Sequence, residues 1–336
     1  MALFVPFLKK GGHLDQIQMT LFNVGSRKVE REDDLASQGW DLFAPQLTIY
    51  GFDADADACE AANADLEARQ INWSEQHIPL AFANASGERT LYVTRNPQCS
   101  SLYPPNQVYL RRFNNTVTDL MELDFTVEIE TTTLDEFCDQ ERIEEIDFLQ
   151  TDVQGADLLV LEGSSRLLER SILAVKVEVE FAPLYVGQPL FAEVDTFLRK
   201  WGFSLFKLTA ACRPRASSPI VSSEQPGQFL WGDAFYIRDP IDPNLQIEFK
   251  TPERILKVAC IADIMGFPDY ALELLEYLTL NYGNESQYNC ANAIVEGLAK
   301  FPQLIPKGLN ALPIVEKIRD RAFGSALELL QEEKNA

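Results

Sequence analysis

Short apolar runs alternate with amphipathic segments over the first 240 residues of the chain. The apolar runs have the length of strands, and the segments between them carry helical spacing. Parallel strands that alternate with helices build a doubly wound α/β sheet. We expect the strands at 18–24, 47–52, 78–83, 90–94, 126–130, 146–151, 173–181, 203–208 and 229–237. We expect helices at 54–70, from Thr133, after Gly155 and at 190–201.

The pattern changes after Asp239-Pro240. Helical spacing runs from 251 to 333, is broken near Gly266, Gly283 and Pro302, and includes no strand-like run. We therefore expect two domains, a mostly parallel α/β domain at 1–240 and an all-helical C-terminal appendage at 241–336. The amphipathic helices of the appendage would form a lid or substrate shelf over the strand edge, or the interface of a homo-oligomer.

The most informative segment is the strand at 146–151 with the residues that follow it. Its apolar run ends at Asp152, and Gly155 then opens an amphipathic helix. A buried parallel strand presents an acidic side chain at its carboxyl end in this way, and open α/β sheets bind ligands at that edge. Asp152 is therefore a candidate site residue, although an aspartate here could also cap the helix.

Two other strand ends carry residues that a nucleotide-type sheet uses. Gly25 would let the backbone approach a ligand, and Asp53 would accept hydrogen bonds from a ribose or cap the next helix. The first turn, Asn23-Val24-Gly25-Ser26-Arg27, is not the glycine-rich turn that binds a pyrophosphate. This disfavours a nicotinamide oxidoreductase. It favours a cofactor with a ribose and adenine but no phosphate, of which S-adenosylmethionine is the common one.

The charge of the chain limits its partners. It holds 51 acidic and 29 basic residues, for a net charge of -22. A surface this acidic repels nucleic acid and anionic lipid, and we therefore expect neither as a partner. Two arginine pairs, Arg111-Arg112 and Arg213-Pro214-Arg215, are local exceptions. They form either a basic pocket for an anionic substrate or a solvated surface.

Cysteine and histidine usage excludes further chemistry. The six cysteines are far apart, without a CxxC pair, and there are only two histidines, so a histidine-rich metal site and a histidine-based triad are disfavoured. We expect no bound metal, since clustered acids alone are weak evidence for Mg²⁺. Reduced thiols and the lack of a membrane-spanning apolar run predict a cytoplasmic protein.

From about Met19 to Leu208 the chain resembles the FkbM family of S-adenosylmethionine-dependent methyltransferases. The motifs that carry the resemblance are Gly51-Phe52-Asp53, Ala83-Asn84-Ala85-Ser86-Gly87, Gln98-Cys99-Ser100-Ser101-Leu102-Tyr103, Thr133-Leu134-Asp135-Glu136-Phe137, residues 146–157, and Val177-Glu178-Val179-Glu180-Phe181. The first turn departs from the family pattern, because it lacks an acidic residue and a second glycine. Gln150 stands where the family often has a basic residue, and Asp157 where it has glutamate.

The resemblance implies methyl transfer to a hydroxyl oxygen of a small acceptor, usually a sugar or a glycosylated or polyketide-like molecule. The cofactor-binding residues expected from the strand ends and family motifs are Asn23, Gly25, Asp53, Ala54, Asn84, Ala85, Ser101, Asp152 and Val153. An alcohol acceptor benefits from a base that takes its proton. Asp152 and Glu180, each at a strand end, are the catalytic candidates. Glu178 shares the strand face of Glu180 and could replace it.

A second hypothesis comes from another class of function. The altered first turn is also compatible with a non-catalytic, methyltransferase-like module that binds a protein partner through its acidic surface and helical tail. Capture of a stoichiometric partner without methylation of any acceptor would favour the module, and turnover of a small acceptor would favour the enzyme.

Overall fold

The computed structural model describes residues 2–27, 35–113, 115–301, 303 and 307–332. Most of the charged segment that follows the first strand, residues 28–34, lies outside this description. The strands are β1 Met19–Val24, β2 Leu47–Asp53, β3 Ser74–Pro79, β4 Ala81–Phe82, β5 Gly87–Thr94, β6 Leu123–Thr132, β7 Phe148–Thr151, β8 Ala174–Glu180, β9 Phe203–Leu208, β10 Ala211–Arg213 and β11 Gln228–Arg238. The helices are α1 Val5–Lys10, α2 Ala56–Arg69, α3 Gln107–Leu110, α4 Asn115–Leu120, α5 Leu134–Glu141, α6 Asp157–Glu162, α7 Ser165–Arg170, α8 Phe191–Lys200, α9 Pro252–Ile264, α10 Pro268–Tyr282, α11 Ala291–Ala299, α12 Pro313–Ile318 and α13 Gly324–Glu332.

The central sheet is mostly parallel, which confirms the expected fold class. Its strands run in the order β3-β2-β1-β7-β8-β11, and β9 and β10 both pair with β11. The pairs β3–β2, β2–β1, β1–β7 and β7–β8 are parallel, whereas β11 is antiparallel to β8. The carboxyl ends of the parallel strands therefore meet at one edge, where such sheets bind ligands.

Helices cover both faces of the sheet. Successive side chains of a strand point to opposite faces, so each strand contributes to the core on both sides. Phe22, Leu149 and Val177 are buried on the face that packs with α5 to α8. Leu21 and Phe148 are buried on the other face, in one apolar cluster with α1 and the C-terminal helices α9 to α13. The predicted helical tail thus packs as a layer of helices on the sheet. The domain boundary predicted at residue 240 stays a prediction.

Buried polar contacts join this helical layer to the rest of the molecule. The Asp263 carboxylate of α9 accepts hydrogen bonds from the backbone N–H groups of Leu3, Phe4 and Val5, at 2.8, 2.6 and 2.9 Å. These N–H groups belong to the start of α1, where a negative charge is favoured. Lys257 of α9 lies 3.0 Å from the carboxylate of Asp147, directly before β7. The C-terminal layer is thereby tied to the strand that leads to Asp152.

The main difference from the predicted elements concerns the strand expected at 78–83. The third strand of the central sheet is instead β3, Ser74–Pro79. Its sequence is polar, which an edge strand tolerates because part of it faces water. Ala81–Phe82 forms β4 of a separate sheet with the order β4-β6-β5. Helix α1 was not predicted, and α3 lies in a segment predicted as loop. Among the described helices, none is long and apolar enough to cross a membrane.

Candidate active site at the strand edge

A cavity of about 650 Å³ lies where β1, β2 and β7 end. This volume is in the range of small-molecule sites in proteins. Most of the predicted cofactor-binding residues line it, namely Asn23, Gly25, Asp53, Ala54, Ser101, Asp152 and Val153. Asp53 and Asp152 thus line one cavity at the ends of two different strands, next to apolar walls that include Phe52, Leu80 and Phe82.

Gly25 occupies a position that only glycine fits. Its φ is 84°, in the left-handed region that residues with a Cβ rarely adopt. A Cβ at this position would also lie 1.9 Å from the backbone oxygen of Asp152. The Gly25 N–H donates to the Phe52 oxygen at 2.8 Å, and the Asp152 N–H donates to the Val24 oxygen at 2.9 Å. The three strand ends are therefore joined at this glycine.

Asp53 is not the cap of the helix that follows it. Asp55 fills that role, since its carboxylate accepts hydrogen bonds from the N–H groups of Asp57 and Ala58. One Asp53 carboxylate oxygen accepts from the Asp55 N–H at 2.9 Å, and Arg27 lies 3.9 Å from the other. Burial raises the pKa of Asp53, and the Asp55 N–H and Arg27 oppose that effect. Asp53 keeps acceptor capacity toward the cavity, as ribose binding requires.

Asp152 is likewise free of a capping role. Asp157 accepts hydrogen bonds from the Val153 and Gly155 N–H groups, at 3.3 and 3.2 Å, and from the Thr151 hydroxyl at 2.8 Å. The Asp152 carboxylate instead accepts a hydrogen bond from the side chain of Gln154 at 2.8 Å. The alternative in which Asp152 serves only as a helix cap is therefore not supported by these contacts.

Gln154 connects the cavity to groups beneath it, a role that the sequence analysis missed. Its Nε2 lies 2.8 Å from both Asp152 Oδ1 and Glu178 Oε2, and its Oε1 lies 3.0 Å from the Tyr185 hydroxyl. The Ser101 hydroxyl donates to its backbone oxygen at 2.7 Å. The φ of Gln154 is 56°, unusual for a residue with a side chain, and these contacts hold it there. A glutamine before the turn glycine is the only sequence signal for this role.

Glu180 lies behind the cavity and does not line it. It is 3% exposed and forms a cluster with Asp157 and Glu178, in which one oxygen of each lies within 4.8 Å of the others. Removal from water and mutual repulsion raise the pKa of Glu178 and Glu180 well above their usual range. Burial and the charge of the nearby Asp152 carboxylate raise the pKa of Asp157 to about 7. Carboxylate oxygens could hold a divalent cation, but protonation already relieves this charge.

Asn84 and Ala85 lie outside the cavity, which corrects their expected placement. They follow β4 in the smaller sheet, so they do not sit at the edge of the central sheet. Asn84 bonds to Arg89 at 2.7 Å and to Glu162 at 2.9 Å, and the Ala85 oxygen accepts from Thr131 at 3.2 Å. Another part of the cavity wall comes from the antiparallel pair of strands β5 and β6, through Leu91, Val93, Phe125, Val127 and Ile129. The alternation of apolar residues in β6 was the signal for this wall.

The cavity fits a nucleoside-containing cofactor. It offers an acceptor at Asp53 and apolar walls against which an adenine can pack. Gln150 also lines it, and the Oε1 of Gln150 is buried without a hydrogen-bond partner among the described residues. An unpaired buried acceptor of this kind is costly unless a ligand supplies a donor.

One family model and several solved structures are similar to this chain. The methyltransferase FkbM domain model matches residues 37–205. Among solved structures, a methyltransferase FkbM from Methylobacillus flagellatus is 10% identical, with 66% of this chain and 43% of that one covered and a TM-score of 0.37. The chain thus spans less than half the length of that protein.

Two further solved structures are similar. A magnesium protoporphyrin IX methyltransferase from Synechocystis with bound SAM is 11% identical, with 70% and 76% of the two chains covered and a TM-score of 0.32. The M. capricolum protein TrmK in complex with S-adenosyl-homocysteine is 8% identical, with 98% and 96% covered and a TM-score of 0.35. No curated protein matches the sequence significantly. Since the family model matches half of the chain, the protein belongs to the FkbM methyltransferase family.

Proposed function

We propose that this methyltransferase acts on a hydroxyl oxygen of a small, carbohydrate-containing molecule in the cytoplasm. The observation that carries the proposal is the convergence of Asp53 and Asp152 on one cavity. Methyl transfer to an alcohol needs two acidic groups at one edge of the sheet. One binds the ribose of the cofactor, and the other is free to take a proton. The sugar-containing acceptor follows from the family resemblance.

The residues of β1, β2 and β7 would hold the cofactor. When bound, S-adenosylmethionine supplies a methyl group that its sulfonium already activates. Asp53 would accept hydrogen bonds from the ribose, and Gly25 keeps the floor of the site free of a side chain. Asn23, Ala54, Ser101 and Val153 would complete the pocket. The main contribution of the chain is then to hold the acceptor oxygen in line with the methyl group, which can supply much of the rate.

Asp152 is the base in this proposal. Asp152 lines the cavity, and its carboxylate accepts a hydrogen bond from the Gln154 side chain, which fixes its orientation. The acceptor hydroxyl would lose its proton to Asp152 as its oxygen takes the methyl group, and the bond between that methyl group and the sulfonium sulfur would break to leave S-adenosylhomocysteine. Glu180 was the second candidate base, but it lies in the buried cluster without access to the cavity. We propose that the raised pKa values of Glu178 and Glu180 favour their uncharged forms, so that the region behind Asp152 adds less negative charge.

The test is transfer of an isotopically labelled methyl group to a panel of hydroxyl-bearing glycosides. We expect Asp152→Asn to lower the transfer rate at saturating cofactor by about 100-fold or more, since a positioned base contributes that much. Asp124→Asn is the matched control, because Asp124 is an exposed carboxylate on the rim of the same cavity. Transfer to nitrogen, or an unchanged rate in Asp152→Asn, would overturn the proposal.

The position of the helical tail and its exposed apolar side chains favour a role as an interface over a role as a lid. Among the described residues, none of the tail lines the cavity, so a lid or substrate shelf is not supported. Phe323, Tyr277 and Leu280 of the tail are exposed at 59%, 37% and 37%. We propose that a homo-oligomer, or the protein partner of the non-catalytic alternative, would use these side chains. Pull-down through the tail with no methyl transfer would select the alternative.

A further inference from the structure

The two arginine pairs that stood out in the sequence lie together in the folded chain. The Ala216 N–H donates to the backbone oxygen of Arg112 at 3.0 Å. Phe113 and Arg215 form an antiparallel bridge next to this bond. Segments about a hundred positions apart in the sequence thus lie side by side, and the four arginines that they carry, Arg111, Arg112, Arg213 and Arg215, are called the arginine cluster below.

Aromatic rings support three of these guanidinium groups. Arg213 lies over the Trp231 ring at 4.6 Å, Arg215 over Phe113 at 4.6 Å, and Arg112 near Tyr109 at 5.4 Å. The Gln228 side chain bonds to Arg215 and, at 2.6 Å, to the Tyr109 hydroxyl. Stacking and hydrogen bonds hold a planar guanidinium in place before a ligand arrives.

The arginine cluster lacks counter-charges. Arg27, Arg95, Arg166, Arg199 and Arg254 each form an ion pair with a carboxylate. Within the described part of the chain, none of the four clustered arginines does. The Nη1 of Arg215 is buried without a hydrogen-bond partner in the same part of the chain. Four neighbouring arginines without a carboxylate partner concentrate positive charge in a chain of net charge -22, and the unpaired buried donor of Arg215 is costly.

The cluster lies at the ligand edge of the sheet. Because β11 is antiparallel to β8, the start of β11 meets the carboxyl end of β8, where Trp231 pairs with Glu180. Strand β10, which ends at Arg213, pairs with that same part of β11. Phe113 and Trp231 pack in one apolar cluster with Tyr185, whose hydroxyl lies 3.0 Å from Gln154. The cofactor cavity and the arginine cluster therefore flank Asp152 and Gln154 from opposite sides.

We infer that Arg111, Arg112, Arg213 and Arg215 form an anion-binding site for a phosphate, sulfate or carboxylate group of the methyl acceptor. Guanidinium groups bind such planar or tetrahedral oxyanions through paired hydrogen bonds. The role as acceptor site rests on the proposed function, since it places the anion across Asp152 from the cofactor. The acceptor is then an anionic small molecule, which a chain this acidic would otherwise repel.

The test is calorimetric titration with inorganic pyrophosphate at low ionic strength, after saturation with S-adenosylhomocysteine. We expect saturable binding that added salt weakens. Arg112→Gln and Arg215→Gln should each weaken it about tenfold or more. Arg166→Gln, which removes an arginine paired with Asp135 and Asp139, should leave it unchanged. Arg112 is exposed, so its variant tests the site even where Arg215→Gln disturbs the fold.

The outcomes separate this inference from the proposed function. No pyrophosphate binding to the wild type, or equal weakening in Arg166→Gln, would overturn the anion-binding site. Failure of S-adenosylhomocysteine to bind would count against the proposed function. The pyrophosphate titration, repeated without S-adenosylhomocysteine, would then test the anion-binding site independently of the proposed function.

Discussion

Two constraints require glycine at position 25, namely a left-handed backbone and a close contact with the Asp152 peptide. Local signals of this kind can be predicted from sequence. Gly25, Asp53 and Asp152 all follow directly after apolar strands, and a strand end with its turn is a local feature. The placement of Asn84 and Ala85 could not be predicted, because it depends on which of two sheets the preceding residues join. The role of Gln154 depends on contacts with Tyr185 and Ser101, which are distant in sequence.

We predict that Gly25→Ala abolishes binding of S-adenosylhomocysteine and lowers the melting temperature. The added Cβ would meet the Asp152 oxygen at 1.9 Å and force β1 and β7 apart at the site. Gly266→Ala is the control, since Gly266 has nearly the same φ, 86°, with nothing within 4 Å of the added Cβ. It should cost only the backbone strain, about 1–2 kcal/mol. Similar losses in both variants would contradict this account of Gly25.

Strands β7 and β8 bring Asp152, Asp157, Glu178 and Glu180 to one edge of the sheet. The strands themselves could be predicted from their apolar runs. Their adjacency follows from the topology, and so do the repulsion between their carboxylates and the raised pKa values. The third strand was placed several residues too late in the sequence because β3 is a polar edge strand, for which apolar runs are a poor guide.

The carboxylate cluster predicts how stability depends on pH. In the unfolded chain Asp157 releases its proton near pH 4, whereas its pKa in the folded chain is about 7. The folded state binds more protons between these values, so the contribution of this group to the free energy of unfolding falls as pH rises from about 4 to 7. Asp152→Asn removes the neighbouring carboxylate that raises the pKa of Asp157 and should flatten this fall. The measurement is urea unfolding across that window, with the exposed Glu67→Gln as control. Equal pH slopes in the two variants would refute the assignment.

At the scale of the molecule, the C-terminal helices cover one face of the sheet and share its apolar core with α1. The helical pattern of the tail and the α/β pattern before it could be predicted, since both are periodicities along the chain. An amphipathic helix reveals that one face is covered, but its sequence does not say by what. The contact between the tail and the sheet therefore could not be predicted from local pattern.

We predict that Lys257→Met destabilises the whole molecule by about 3–5 kcal/mol. It would leave the Asp147 carboxylate buried without its counter-charge, and a broken buried ion pair has that cost. The two side chains are 4% and 5% exposed. Lys317→Met breaks a surface pair with Glu276, in which Lys317 is 57% exposed, and should cost less than about 1 kcal/mol. Urea denaturation measures both. Equal midpoints for the two variants would contradict the predicted anchoring role of Lys257.

The central claim is that the strand edge at Asp53 binds the cofactor. Calorimetric titration with S-adenosylhomocysteine tests it most directly, on the wild type, on Asp53→Ala and on Asp57→Ala. Asp57→Ala is the control, because it removes the same charge from an exposed position in α2. We expect saturable binding to the wild type and to Asp57→Ala, and at least tenfold weaker binding to Asp53→Ala, which loses its charged hydrogen bonds to the ribose. No binding to the wild type, or equal affinity in all three proteins, would contradict the claim.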